Sequence, residues 1–190
     1  SPTVLEDLHS QIQKSKPISV IIANYKDYAT GKEYRRIQKT GILGSGPQIA
    51  AAYFRNFSFM SGILFDKNLS RQHATNRWDG SEMYQVYLGC RIISAGGVLF
   101  GFNNTTVRQG IQMPGEQVQS YATKTKLDPC PIVERRLTLS MLNHLVIDAV
   151  GPYLATKEKE KIIEKIILQI YSFVYPYWLI EYRRVQSWRY

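Results

Sequence analysis

The stretch SRQHATNRWDGSEMYQ, residues 70–85, holds the densest set of groups able to do chemistry: His73, Trp78, Asp79 and Glu82. Asp79 and Glu82 flank an expected helix start, where the helix dipole and free backbone N–H groups favour an ionised carboxylate. A charged carboxylate in a cleft can take a proton from a hydroxyl nucleophile. Capping explains the same residues differently, with Asp79 or Ser81 as the cap and Glu82 in the first turn. His73 is a third candidate base, since imidazole titrates near neutrality, although a lone loop His often serves no chemistry. Trp78 offers a flat apolar face to a sugar ring, or else packs beneath its loop. Farther along, Arg108 in TTVRQG carries fixed planar donors that suit an anionic group, unless it is a solvent-facing strand residue.

The elements that must position these groups read as alternating helices and strands. Val4, Leu5, Leu8 and Ile12 form a helical pattern behind Pro2, with Glu6 and Asp7 in its first turn. Residues 18–23 read as a buried strand and KDYATGKEYRR, 26–36, as a polar turn around Gly31. GILGSGPQIAAAYFRN, 41–56, leads three glycines into a short helix from Pro47. The G-x-x-G-x-G spacing lacks a phosphate-loop Lys and a preceding apolar strand, which favours a flexible loop over a phosphate cradle. In FSFMSGILFDKN, 57–68, Gly62 would let a ligand or another backbone approach closely. Residues 79–97 read as a capped helix ending at Gly96-Gly97, and 98–110 as a strand and its exit.

Composition narrows the partners. The chain has 190 residues, 44% hydrophobic and 21% charged, which fits a folded domain rather than a solvating tail. A net charge of +9 favours an anionic partner: nucleic acid, a phosphorylated substrate or an anionic membrane surface. Nucleic acid is the weakest of these, because basic residues interleaved with aromatics occur only near the C-terminus and no RNA-binding signature is present. Cys90 and Cys130 form no C-x-x-C pair and have no metal-ligand spacing with His9, His73 or His144, so reduced thiols and a cytoplasmic location are expected. The first residues lack the pattern of a signal peptide, so the N-x-S/T sequons at Asn56, Asn68, Asn103 and Asn104 carry little weight.

Beyond the turn-rich SYATKTKLDPCP, 120–131, the pattern becomes helical. Leu137, Met141, Leu142, Leu145 and Val146 make a stripe that Pro152 breaks, with His144 read as a core histidine. Residues 157–190 carry seven basic and four acidic residues around an apolar middle, and end in Tyr and Trp beside Arg183, Arg184 and Arg189. That is the make-up of an interfacial helix, or equally of a helical hairpin packed on the body or on a second copy of the chain. Lys165, Gln169, Pro176 and Glu181 interrupt the run too often for a membrane span.

The succession NFSFMSGILFD, RWDGSEMYQVYLGCRIISAGG and VLFGFNNTTVRQGIQM resembles the C-terminal, acceptor-side half of a bacterial family 2 GT-A glycosyltransferase, in the abequosyltransferase-like branch. In that family a strand with a Ser-Gly turn precedes the acidic catalytic loop, followed by a helix ending in Arg-x-x-x-x-Gly and a further strand. Arg91 to Gly96 reproduces that interval. The resemblance implies a mixed α/β sheet with flanking helices over 1–125, followed by a helical extension over 126–190. It implies inverting transfer from a nucleotide-diphosphate sugar to a saccharide or lipid-linked acceptor, in O-antigen or other surface polysaccharide synthesis at the inner membrane. Asp79 and Glu82 are then the catalytic candidates, and Ser61, Gly62, Trp78 and Arg108 the substrate-binding ones. The family's usual Glu-Asp pair falls here, counting back from Arg91, on Tyr84 and Gln85.

Counting also places strand 18–23 late in that fold. As the family's first strand it would have to be followed by four strand-helix units and the Asp-x-Asp within the about 35 residues before the Ser-Gly turn, whereas a single parallel crossover alone needs a dozen or more connecting residues. The family's first nucleotide-binding strand and its Asp-x-Asp have no counterpart in this chain. A divalent cation, Mn or Mg, is therefore expected for the complete enzyme, with ligands outside these residues.

Overall fold

A computed structural model describes residues 2–15, 17–28, 30–79, 83–109 and 132–176, with main chain alone at Pro2, 108–109 and 132–140. The first helix, α1 (Pro2–Lys14), starts where expected and turns Val4, Leu8 and Ile12 inward, but Leu5 is exposed and Glu6 and Asp7 lie beyond its first turn; it feeds the central strand β1 (Val20–Asp27). This strand runs past its expected end at residue 23 and into the start of the polar turn expected over 26–36. It does so because Asn24 does the work of ladder bonds across an irregularity in the sheet. Its amide donates to the carbonyls of Ile37 and Asn103 at 2.9 and 2.7 Å and accepts from the Ile37 N–H at 2.9 Å. Beyond it Tyr25 and Lys26 pair with Tyr34 and Glu33 of β2 (Glu33–Tyr34), so the expected turn is the tip of a hairpin.

The glycine-rich stretch holds a strand, β3 (Gly41–Gly44), followed by α2 (Pro47–Tyr53), which starts at Pro47 as expected. Gly41 and Gly44 lie in the sheet, where a flexible loop was expected, because they pair with Gly101 and Leu99 of the neighbouring strand. A 3-10 turn (Phe54–Phe57) leads to the Ser61-Gly62 turn and β4 (Ile63–Phe65). Asp66 then caps α3 (Lys67–His73), accepting from the N–H groups of Asn68 and Leu69. After a 3-10 turn at Asn76–Trp78 come α4 (Tyr84–Ser94) and β5 (Leu99–Gln109). The close of α4 is the one anticipated. Gly96, at φ +101, donates to Ile93 O and Gly97 to Ile92 O, satisfying the last carbonyls of the helix.

The result is an α/β protein with a mixed, open, five-stranded sheet and flanking helices. β1 and β5 form its parallel centre, β3 joins β5 antiparallel, and β2 and β4 both pair antiparallel with β1. Alternation along β1 sends Ile21 and Ala23 to one face, where they meet Leu8 of α1 and Phe100 and Phe102 of β5. Val20 and Ile22 go to the other face, with Leu99, Phe54, Phe57 and the apolar side of α4.

Two further helices, α5 (Ile132–Val150) and α6 (Thr156–Gln169), join that second core through Leu142, Leu145, Val146, Ile166 and Ile170. Each fully buried Leu or Ile contributes about 1.5–3 kcal/mol relative to exposure, so these helices are integral to the body's packing. Pro152 falls in a 3-10 turn (Gly151–Tyr153) between them, at the expected break. His144 corrects its reading: it is exposed, while Leu145 and Val146 beside it turn inward.

Candidate functional site

Two neighbourhoods contain the residues singled out by sequence. The first lies beside the middle of β1 and is organised by Arg36, which sequence reasoning passed over. Its guanidinium gives all of its N–H groups to main-chain carbonyls. Nε bonds Ala23 O at 2.9 Å, and Nη1 bonds Asn56 O at 3.2 Å and Phe59 O at 2.8 Å. Nη2 bonds Ser61 O at 2.7 Å and Ala23 O again. Its plane lies 5.1 Å from the Tyr25 ring, and Tyr25 stacks on Tyr34 at 4.8 Å and 8°. Burial lowers the Arg36 pKa to about 10, which still leaves it cationic at neutral pH.

The Ser61-Gly62 turn is built around this arginine. Gly62 sits at φ +76, and a Cβ there would lie 2.8 Å from Arg36 Nη2 and 3.3 Å from Ala23 O. Its own carbonyl accepts from the Ala23 N–H at 2.8 Å. The close approach expected at Gly62 is thus made by a side chain and a strand of the same chain. Next to it, the Thr106 hydroxyl is buried without a partner among the described residues. Arg108 lies two residues farther along β5, its backbone paired with Lys26, while its side chain is outside the described set.

The second neighbourhood is the turn that carries Trp78 and Asp79. The Thr75 hydroxyl accepts from the Arg77 N–H and starts a 3-10 turn, so Asp79 ends that turn instead of starting a helix. α4 begins later, with Met83 at its N-cap and no side-chain cap bond. Met83, rather than Asp79 or Ser81, is the N-cap of α4, which corrects the capping explanation. The Asp79 side chain is exposed and makes no hydrogen bond or ion pair among the described residues. Glu82 and Ser81 lie outside the described residues.

Trp78 is tied down by Asp148 of α5, a residue no local signal pointed to. Its Nε1–H donates to Asp148 Oδ2 at 2.9 Å, and Arg77 Nη1 reaches Oδ1 at 2.9 Å. The indole is half-buried and packs 6.4 Å from the Tyr87 ring, so packing is the role its contacts describe. Arg91, the first residue of the expected Arg-to-Gly interval, lies 4.8 Å from the Tyr153 ring and bonds the Asp148 carbonyl at 3.4 Å. His73 titrates below its ordinary range, first through burial and then through the Arg91 charge. The positions aligned with the family's acidic pair are taken up structurally. The Tyr84 hydroxyl accepts from the Thr75 N–H at 3.0 Å, and the buried Gln85 Nε2 donates to Ser58 O at 3.3 Å.

The Gln85 bond joins the start of α4 to the segment entering the Ser-Gly turn, and Trp78 and Tyr87 share a core with Phe54 and Phe57 of that segment. Among the described residues no three His, Cys, Asp or Glu side chains converge on a metal-sized site. No protein-family model, curated protein or solved structure matches this chain.

Proposed function

We propose that this chain is the acceptor-side portion of a glycosyltransferase that moves a sugar from a nucleotide-diphosphate donor to a saccharide or lipid-linked acceptor in bacterial surface polysaccharide synthesis. The observation that carries this reading is the presentation of Asp79. Its side chain is exposed and makes no hydrogen bond or ion pair among the described residues, on a turn anchored by Thr75 before it and by the Trp78–Asp148 bond beside it. A general base has to be both held in place and left free.

In the proposed reaction the carboxylate takes the acceptor hydroxyl proton as that oxygen bonds to the anomeric carbon. The bond from that carbon to the diphosphate breaks, and its electron pair leaves with the diphosphate. Arg108 is the side chain of this chain assigned to the leaving charge, since the carboxyl ends of parallel strands are where open α/β sheets take ligands. A divalent cation, supplied by ligands elsewhere, would neutralise the same charge when bound. Glu82 is the alternative base.

The test is sugar transfer from UDP-, GDP-, CDP- and dTDP-linked donors by the full natural polypeptide. Asp79→Asn is expected to lower kcat about 100-fold or more with little change in donor KM. Undiminished turnover in both Asp79→Asn and Glu82→Gln sinks the base assignment. No turnover with any donor sinks the transferase and leaves a non-catalytic docking module, a reading favoured by the exposed aromatic end of α6.

A further inference from the structure

The far end of α6 is amphipathic in an unusual sense, because its outer face changes character along its length. Inward, Ile162, Ile166, Ile170 and Val174 recur every fourth residue and pack on the body. Outward, Lys157, Lys161 and Glu164 are followed on the same stripe by Leu168, Tyr171 and Tyr175. The helix continues through a wider, π-type turn at Ile170–Val174, and Leu168, Tyr171, Phe173 and Tyr175 are 46% to 57% exposed. Large apolar groups clustered on one exposed face mark a contact surface.

We infer that this face docks on an anionic lipid surface, with α6 lying in the plane of the interface. Charge complementarity selects that occupant. Lys161 and Lys165 are exposed one to two turns before Leu168, and the Arg55 guanidinium lies 4.4 Å from the Phe173 ring. In sequence, residues 177–190 hold Trp178, Tyr182, Trp188 and Tyr190 with three arginines and one glutamate, and the chain's net charge is +9. Tyr and Trp settle at headgroup depth, and long basic side chains reach from there to anionic headgroups. No helix among the described residues is long and apolar enough to cross a membrane, so the contact is one of lying on the surface. The inference does not depend on the transferase reading, and its test uses no activity.

The experiment is co-sedimentation of the chain with vesicles of phosphatidylcholine alone or mixed with phosphatidylglycerol. Binding is expected to the mixed vesicles, falling as salt rises. The combined Leu168→Ser, Tyr171→Ser and Tyr175→Ser variant is expected to lose about tenfold or more in partitioning, with its urea midpoint unchanged because these side chains face solvent. A separate Lys161→Gln, Lys165→Gln variant should weaken binding to mixed vesicles and leave its salt dependence shallower. Failure of the unaltered chain to sediment overturns the inference, as does undiminished sedimentation of the triple serine variant. A concentration-dependent dimer in light scattering, abolished by the same serines, also overturns it by assigning the face to a second copy of the chain.

Discussion

Trp78 and Asp148 stand 70 residues apart in the chain and are joined by a 2.9 Å hydrogen bond from indole to carboxylate. Through it the last turn of α5 holds the turn that presents Asp79. The same carboxylate also meets Arg77, whose side chain is 66% exposed, so that half of the interaction is worth little in water. Asp148→Ala is expected to cost about 1–3 kcal/mol, chiefly by leaving the half-buried indole N–H without its acceptor. Arg77→Ala should cost under about 0.5 kcal/mol. Asp148→Asn, which keeps one acceptor oxygen, should fall between them. Urea unfolding followed by tryptophan emission checks the order, and an Arg77→Ala cost equal to that of Asp148→Ala would refute it.

What was legible in the sequence were the features written in short range. Pro47 starts α2, Gly96-Gly97 closes α4, and the apolar runs at 20–23 and 98–102 become the parallel centre of the sheet. What was not legible depends on partners brought together by the fold. Arg36 reads as one more charge in a polar turn, yet its acceptors lie 13 to 25 residues away. Asp148 falls within an apolar helical stripe and becomes meaningful only when α5 packs on α4 and the 76–79 turn. The misplaced start of α4 has a local cause: Thr75 competes for the role given to Asp79 and wins with a 3-10 turn. Gly62 carried a signal, close approach, but one that could not say what approaches.

Gly62 and Gly96 separate backbone strain from collision. Both hold positive φ, but a Cβ at Gly96 meets nothing within 4 Å, whereas at Gly62 it meets Arg36 Nη2 at 2.8 Å. Arg36 has little room to yield, since its N–H groups are bonded to four residues' carbonyls. Gly96→Ala should therefore cost about 1–2 kcal/mol, the left-handed strain alone. Gly62→Ala should cost about 3 kcal/mol or more, adding an overpacking penalty. Equal costs in chemical denaturation would mean that Arg36 moves aside.

His73 makes stability depend on pH in a defined direction. Burial, and after it the Arg91 charge, lowers its pKa in the folded chain below the unfolded value of 6.5. Between those two values the unfolded chain binds more protons, so stability rises with pH there. This contribution is intact above about pH 6.5 and is lost as the pH falls toward the folded value. Urea midpoints measured across that window should fall less steeply for His73→Gln than for the unaltered chain. Parallel slopes would assign the acid sensitivity elsewhere.

Cys90 should behave as a buried apolar residue rather than as a thiol. It is fully buried on α4 with its Sγ 3.9 Å from Ala50 O, and desolvation pushes its pKa well up. Because only the thiolate attacks, and only where reagent can reach it, modification requires α4 to part from α2. In a Cys130→Ser variant, which leaves Cys90 as the sole thiol, Ellman's reagent is expected to react at the rate of global unfolding. The rate should rise with urea along the unfolding limb measured by tryptophan emission. Reaction far faster than unfolding in water would instead locate a local opening of the α2–α4 interface, and the helices behind the Ser-Gly turn would then be the mobile part of the fold.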